Sequence, residues 1–268
     1  MDASIKIVRD HYDNAVESEW NRIAGRPEFL LTCKMFDRYI KPGDSVLDIG
    51  GGPGRYTIHL ADKGCNVTLF DLSPENVKFA SEQAAEQGLS IQAVAGDACL
   101  VDELVNKKFD HVLLMGPMYH LLEEDERVKA VNAALNVLKP GGIIYISFSN
   151  MMGCLMKWMK LMPEAIVSAG TFETSFKENF ILQKGYAGDA FTKIALIDQN
   201  EILPFMSQFS LKKLHLFGQE GIMSPCEDNI MAQPKEVIDS WLDLCESLWE
   251  REEFLSWAEH LMYVGRKI

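Results

Sequence analysis

Val46-Leu47-Asp48-Ile49-Gly50-Gly51-Gly52-Pro53-Gly54-Arg55-Tyr56-Thr57 is the stretch that decides the fold. A short apolar run ends on an acidic residue, and a glycine turn follows at once. The residues after the turn (Tyr56, Ile58, His59, Leu60, Ala61) read as a helix. The order is strand, tight turn, helix. Glycines reach backbone angles closed to other residues and, without a Cβ, let a ligand touch the main chain. The N–H groups of the helix start point into the same space. This first βα turn is therefore expected to hold a nucleotide-type cofactor.

A dinucleotide site would show G-x-G-x-x-G, with an acidic residue about 20 positions on to bind a ribose. The acidic residue is present: Asp71 ends the run Val67-Thr68-Leu69-Phe70. The glycines, however, fall at alternate positions, Gly50, Gly52 and Gly54, after Asp48, with Pro53 between the last two. That spacing disfavours a nicotinamide dehydrogenase. Three further segments follow in order: Phe70-Asp71-Leu72-Ser73, Ala95-Gly96-Asp97-Ala98, and Phe109-Asp110-His111-Val112-Leu113-Leu114-Met115. Later comes Leu138-Lys139-Pro140-Gly141-Gly142. Together these resemble the ordered motifs of the class I S-adenosylmethionine (SAM)-dependent methyltransferases. The likeness is close over residues 40–150 and loose elsewhere.

The resemblance implies a cofactor, SAM, and roles for particular residues. Gly50, Gly52 and Gly54 would bring the methionine half of SAM close to the main chain. Asp48 would sit beside its sulfonium and α-amino end. Asp71, at a strand C-terminus, would accept hydrogen bonds from both ribose hydroxyls; its other reading is an acid at the start of the helix that Pro74 begins. Leu72 would pack on adenine. Asp97 would accept from the adenine amino group, with Ala98 giving a main-chain contact; a turn-forming aspartate is the alternative. The turn Met115-Gly116-Pro117-Met118-Tyr119-His120 would face the transferring methyl, and it lacks the N/D-P-P-Y/F of the nucleic-acid amino methylases. His120 is the candidate base, since imidazole titrates near neutral pH, or else it caps the next helix. Tyr119 acts beside it or shapes the pocket. Tyr12, in His11-Tyr12-Asp13-Asn14, would hydrogen-bond the SAM carboxylate or simply pack, and Arg26 is a second candidate for that carboxylate. His59 and His111 read as structural. Trp241, Leu242, Trp249 and Trp257 read as core or a dimer contact.

Composition narrows the acceptor. The 268 residues carry 26 basic and 39 acidic side chains, a net charge of −13. Such a surface repels phosphate backbones, so nucleic acid is not expected as a partner. The six cysteines (Cys33, Cys65, Cys99, Cys154, Cys226, Cys245) show neither C-x-x-C nor a metal-ligand spacing. Reduced, mostly buried thiols are expected, and no metal. No run approaches the ~20 apolar residues of a membrane span, and Met1-Asp2-Ala3-Ser4 leads into a charged helix rather than a signal peptide. A cytoplasmic protein without a membrane partner is expected, with oligomerisation left open.

Along the chain, residues 4–40 read as two helices forming an N-terminal cap. Residues 41–150 alternate strands (45–49, 66–70, 91–95, 109–115, 142–148) with helices (54–63, 74–87, 100–105, 124–138). Ser73-Pro74 marks a helix start, with serine as N-cap and proline first. Residues 150–190, rich in Met, aromatics and glycine, break the rhythm and read as an insertion that folds over the cofactor mouth as a substrate lid. Residues 191–268 supply a helix at 199–208, a sixth strand at 211–218, one long helical region at 234–259 and a seventh strand at 261–267. The expected fold is α/β: a doubly wound, Rossmann-like, seven-stranded, mostly parallel sheet with helices on both faces. The expected function is methyl transfer from SAM to a small-molecule acceptor. A protein or RNA acceptor, and a module that binds SAM without turnover, are the alternatives.

Overall fold

The computed structural model describes residues 3–268; Met1 and Asp2, the start of the expected leaderless terminus, lie outside the described residues. Three helices come first, α1 (Ala3–Asp13), α2 (Val16–Arg22) and α3 (Pro27–Tyr39). The core alternates β1 (Ser45–Ile49), α4 (Arg55–Asp62), β2 (Asn66–Asp71), α5 (Pro74–Glu86), β3 (Gln92–Ala95), α6 (Val101–Leu104), β4 (Phe109–Leu114), α7 (Glu124–Val137) and β5 (Leu138–Ser149). An excursion follows: α8 (Met151–Leu161), α9 (Thr171–Ile181), β6 (Tyr186–Asp189) and β7 (Lys193–Leu196). The chain closes with α10 (Gln199–Met206), β8 (Leu211–Gly218), α11 (Glu227–Met231), α12 (Lys235–Leu248), α13 (Glu252–Leu255) and β9 (His260–Lys267).

Seven strands form one sheet in the order β3-β2-β1-β4-β5-β9-β8. The pairs from β3 through β5 are parallel, and β9 runs antiparallel to both β5 and β8. The chain steps outward from β1 to β3, then returns to lay β4 on the other side of β1. That reversal opens a crevice at the carboxyl ends of β1 and β4, where open α/β sheets bind ligands.

The sheet is apolar on both faces, as parallel sheets covered by helices must be. Leu47, Ile49, Val112, Leu114, Ile144 and Ile146 face α7, with its Ala130, Val131 and Ala134. Val46, Val67, Leu113, Ile143 and Tyr145 face α3 and α4 through Leu31, Phe36 and Leu60. Successive residues of one strand thus go to opposite cores. Each such fully buried side chain stabilises the fold by about 1.5–3 kcal/mol. The excursion has a small core of its own, in which Met151, Trp158, Phe176, Tyr186, Ile194 and Leu196 meet.

The structure differs from the sequence reading at four places. The cap has three helices, not two; Gly25, at φ 68°, separates α2 from α3, and Pro27 opens α3 at its first turn. β5 begins at Leu138, because Leu138 pairs with Phe109 before Lys139–Gly142 bulge out and pairing resumes at His111 and Ile143. The expected helix 234–259 breaks after Leu248, where the Trp249 carbonyl accepts from Gly218 N at 3.3 Å and its ring packs on Phe217 at 4.5 Å. Trp249 and Leu242 are core, whereas Trp241 and Trp257 are exposed. The excursion runs on through the β6–β7 hairpin to Leu196, so residues 193–196 pair in a separate two-stranded sheet rather than in the main one.

Candidate active site

A cavity of about 340 Å³ opens at the carboxyl ends of β1, β2 and β4 and at the turn after β3, with α1 along its rim. Tyr12, Asp48, Gly50, Gly52, Asp71, Leu72, Asp97, Ala98, Met115, Tyr119 and His120 all line it. Gly54 does not; Gly51 does. Gly54 has φ 90° at the N-cap of α4, and a Cβ there would stand 2.9 Å from Ala80 Cβ. Its work is to let α4 and α5 pack closely. Gly50, at φ 72°, has the other demanding position, since a Cβ there would lie 2.2 Å from Pro117 Cδ. The turns after β1 and β4 touch, and only a glycine leaves room. At Gly52 a Cβ would meet nothing nearer than Asn76 Nδ2 at 4.0 Å, so its open side faces the cavity.

Two buried carboxyls anchor the turn. Asp48 Oδ2 accepts from Thr57 Oγ1 at 2.7 Å, whereas Oδ1 is buried with no partner. Burial, with the nearby Asp71 charge adding and the Thr57 bond opposing, pushes the Asp48 carboxyl up to about 7. Asp71 accepts from Gly52 N at 2.8 Å, Ser73 N at 2.9 Å and Asn76 Nδ2 at 3.2 Å. It therefore fixes both the glycine turn and the start of α5. Burial raises its pKa as well, against those donors. Ser73 caps α5 as expected, accepting from Asn76 N at 3.1 Å, and its hydroxyl donates to Asp13 at the end of α1. Asp97 Oδ1 accepts from Cys99 N at 2.9 Å, the geometry of a turn-forming aspartate, while the residue lines the cavity.

His120 joins three elements. Its Nδ1 lies 2.7 Å from the Lys193 carbonyl of β7, and its Nε2 lies 2.7 Å from the Tyr12 hydroxyl of α1. A carbonyl only accepts, so Nδ1 carries the proton; Nε2 of the neutral ring then accepts from Tyr12. Burial pushes the imidazole down to about 4, which keeps it neutral. The lone pair that a general base would use is thus occupied by Tyr12, and the Tyr12 hydroxyl is spent on His120. The β6–β7 hairpin also meets α1 through Phe191 and His11, with ring centroids 5.3 Å apart. Arg26 does not reach the cavity; it pairs with Glu227 and with Asp228, the latter at 2.8 Å. His111 is buried beside Asp44 at 3.3 Å, and His59 packs edge-on against Phe29.

Around Tyr119 and Glu28, which line the cavity, lie residues that sequence reasoning missed. Tyr119 donates to Ser147, Ser147 to Gln219, and Gln219 Nε2 to Thr32 Oγ1 at 2.9 Å. Arg22 donates to Glu19 and Glu28, each at 2.9 Å. Behind Glu28, His260 Nδ1 lies 2.6 Å from Glu220 and 3.9 Å from Glu28. Burial opposes charge on this ring, yet the two carboxylates prevail and raise it to about 9. Ligand atoms of Glu28, Glu220 and His260 lie within 4.8 Å of one another, a grouping a cation could use. The imidazole nitrogen concerned is already engaged by Glu220, and Glu28 Oε2 by Arg22. Nothing in the sequence could flag it, because its members are 40 and 192 positions apart with no shared motif.

Residues 46–142 match a family described as a methyltransferase domain. Over those residues the chain carries a methyltransferase domain. A ubiquinone biosynthesis O-methyltransferase from Caulobacter vibrioides is 35% identical over 111 residues, 40% of this chain and 42% of that one. A glycine/sarcosine N-methyltransferase from Parasynechococcus marenigrum is 30% identical over 145 residues, 53% of this chain and 49% of its own. The chain thus spans less than half the length of these curated relatives. Among solved structures, a 1,6-didemethyltoxoflavin-N1-methyltransferase from Burkholderia thailandensis superposes with TM-score 0.59 and 17% identity, covering 100% of this chain and 91% of that one. Magnesium protoporphyrin IX methyltransferase from Synechocystis gives TM-score 0.59 at 13% identity, with 99% and 100% covered. At these identities the likeness concerns the methyltransferase fold, which accounts for the sheet order and the antiparallel last strand.

Proposed function

We propose that the chain is a SAM-dependent methyltransferase acting on a small molecule. The observation that carries this reading is the buried, unpartnered Asp48 Oδ1 at the wall of a cavity that the glycine turn leaves open. A lone carboxylate oxygen in that position costs about 1–3 kcal/mol unless a ligand donates to it. The amino and sulfonium end of SAM would suit it. SAM, when bound, supplies an electrophilic methyl group; the rest is the work of this chain. Gly50 and Gly52 allow close approach to the main chain. Asp71 keeps lone-pair capacity for ribose hydroxyls beyond its three protein donors. Leu72, Ala98 and Met115 offer apolar walls for the base, and Asp97 an acceptor at its edge. Tyr119 and His120 shape the space beyond Met115, where positioning the nucleophile lowers the barrier most.

A cavity of about 340 Å³ supports a small acceptor over a protein or RNA. The excess of carboxylates lining the cavity supports the same choice, since it disfavours nucleic acid. The insertion supports a lid reading through the hairpin that backs His120. All six cysteines are free thiols, Cys226 exposed and Cys154 half-buried, which supports a reducing, cytoplasmic setting. Among the described residues no helix is long and apolar enough to cross a membrane. Incubation with labelled SAM and fractionated metabolite extracts tests the function. Label in a small-molecule fraction, with matching S-adenosylhomocysteine, is expected. S-adenosylhomocysteine formed only with protein or RNA fractions would contradict the acceptor class, and none in any fraction would contradict turnover.

A further inference from the structure

The cavity lining carries two unused hydrogen-bonding atoms. Glu28 is half-buried and lines the cavity; its Oε2 is taken by Arg22, and its Oε1 accepts no hydrogen bond from the described residues. The Tyr56 hydroxyl is buried, lines the same cavity and has no group in hydrogen-bonding geometry, although Thr32 and the Glu28 charge are close enough to affect its acidity. A carboxylate oxygen open to the cavity is an acceptor; a phenol hydroxyl both donates and accepts. Neither is matched from within the protein.

The charges around these atoms narrow what can fill the gap. Seven carboxyl residues and two arginines line the cavity. Both arginines are committed. Arg22 is held between Glu19 and Glu28. Arg55 donates to the Trp20 carbonyl at 2.6 Å, and its guanidinium lies 3.4 Å from the centre of the Trp20 ring. Among the described residues lining the cavity, no guanidinium is left free to clamp a carboxylate or phosphate, the usual means of holding such anions. Glu28 sits in the first turn of α3, where a helix N-terminus favours an anion. Burial disfavours its charge, but Arg22 and His260 outweigh burial and lower its pKa, so it stays ionised.

We propose that Glu28 and Tyr56 form the acceptor subsite, and that the acceptor is a hydroxyl or amine compound with no anionic group beside the reacting atom. Its O–H or N–H donates to Glu28 Oε1, and Tyr56 completes the contact. A carboxylate or phosphate in that place would face Glu28 with no compensating cation. This inference rests on the methyltransferase reading above and names the acceptor chemistry that reading leaves open.

Matched ring probes test it. Catechol, benzylamine, benzoate and phenyl phosphate are titrated calorimetrically into the protein, with and without S-adenosylhomocysteine. Catechol or benzylamine is expected to bind at least about tenfold more tightly than both anions, and Glu28→Gln to narrow that gap by about tenfold. Comparing catechol with benzylamine distinguishes a hydroxyl acceptor from an amine. Tyr56→Phe keeps the ring's packing and should weaken the preferred probe even if loss of the Arg22 partner unfolds Glu28→Gln. The proposal is overturned if neither neutral nor cationic probe outbinds benzoate, or if the Tyr56→Phe variant, folded by its melting curve, leaves the preferred probe unaffected. Failure of S-adenosylhomocysteine to bind would defeat the cofactor reading instead, while the charge preference would still be read from the titrations without it.

Discussion

Asp48 is the residue whose chemistry most depends on a ligand. Burial raises its carboxyl from 3.8 to about 7. The folded state then holds a proton that the unfolded state has released. The stability tied to this group is therefore full below the unfolded value and is lost as pH rises through about 7. A cationic ligand at Oδ1 requires the ionised form, so binding carries the opposite dependence. SAM affinity should strengthen by roughly tenfold per pH unit up to about pH 7 and level off above it. Calorimetry across pH checks this, and Asp48→Asn should both weaken binding and flatten the profile. An unchanged profile in that variant would remove Asp48 from the site. The residues legible in the sequence share this one's setting: Asp48, Gly50, Gly52, Asp71 and Asp97 sit at strand ends, where a local pattern fixes both conformation and position. Glu28, Tyr56, Glu220 and His260 meet only through tertiary packing, and a buried charge has no local signature.

At the scale of elements, strands and crossover helices were legible because alternation and caps such as Ser73-Pro74 are local. What was not legible depended on partners distant in sequence. Trp249 ends a helix because its carbonyl and ring serve β8, and β5 begins early because Leu138 finds Phe109 across a bulge. The contact among α1, the turn after β4 and the β6–β7 hairpin belongs to the same class. His120 read as a candidate base; the geometry makes it the tie among these three elements. Tyr12→Phe removes the donor to Nε2 and leaves a buried acceptor unmatched, a cost of about 1–3 kcal/mol. Because α1 lies at the rim, that loss should appear as local opening rather than global unfolding. Hydrogen exchange should speed up over residues 3–13 and around 191–193, with the β1 and β4 amides unchanged. Equal acceleration throughout the sheet, or none in α1, would contradict the tie.

For the whole molecule, the sheet order creates the crevice, and the glycine turn, the N-terminal helices and the α3 start line it. The excursion after β5 packs around its own small core and reaches His120 through the β6–β7 hairpin. The central claim is that this cavity is built for SAM rather than for a dinucleotide. Titration of the folded chain with SAM, S-adenosylhomocysteine and NADH measures it directly. The account predicts one site per chain for SAM and S-adenosylhomocysteine, with affinity in roughly the micromolar range usual for enzyme substrates, weakened by Asp48→Asn, and no heat from NADH. Binding of NADH in place of SAM, or no SAM binding by folded protein, would contradict it.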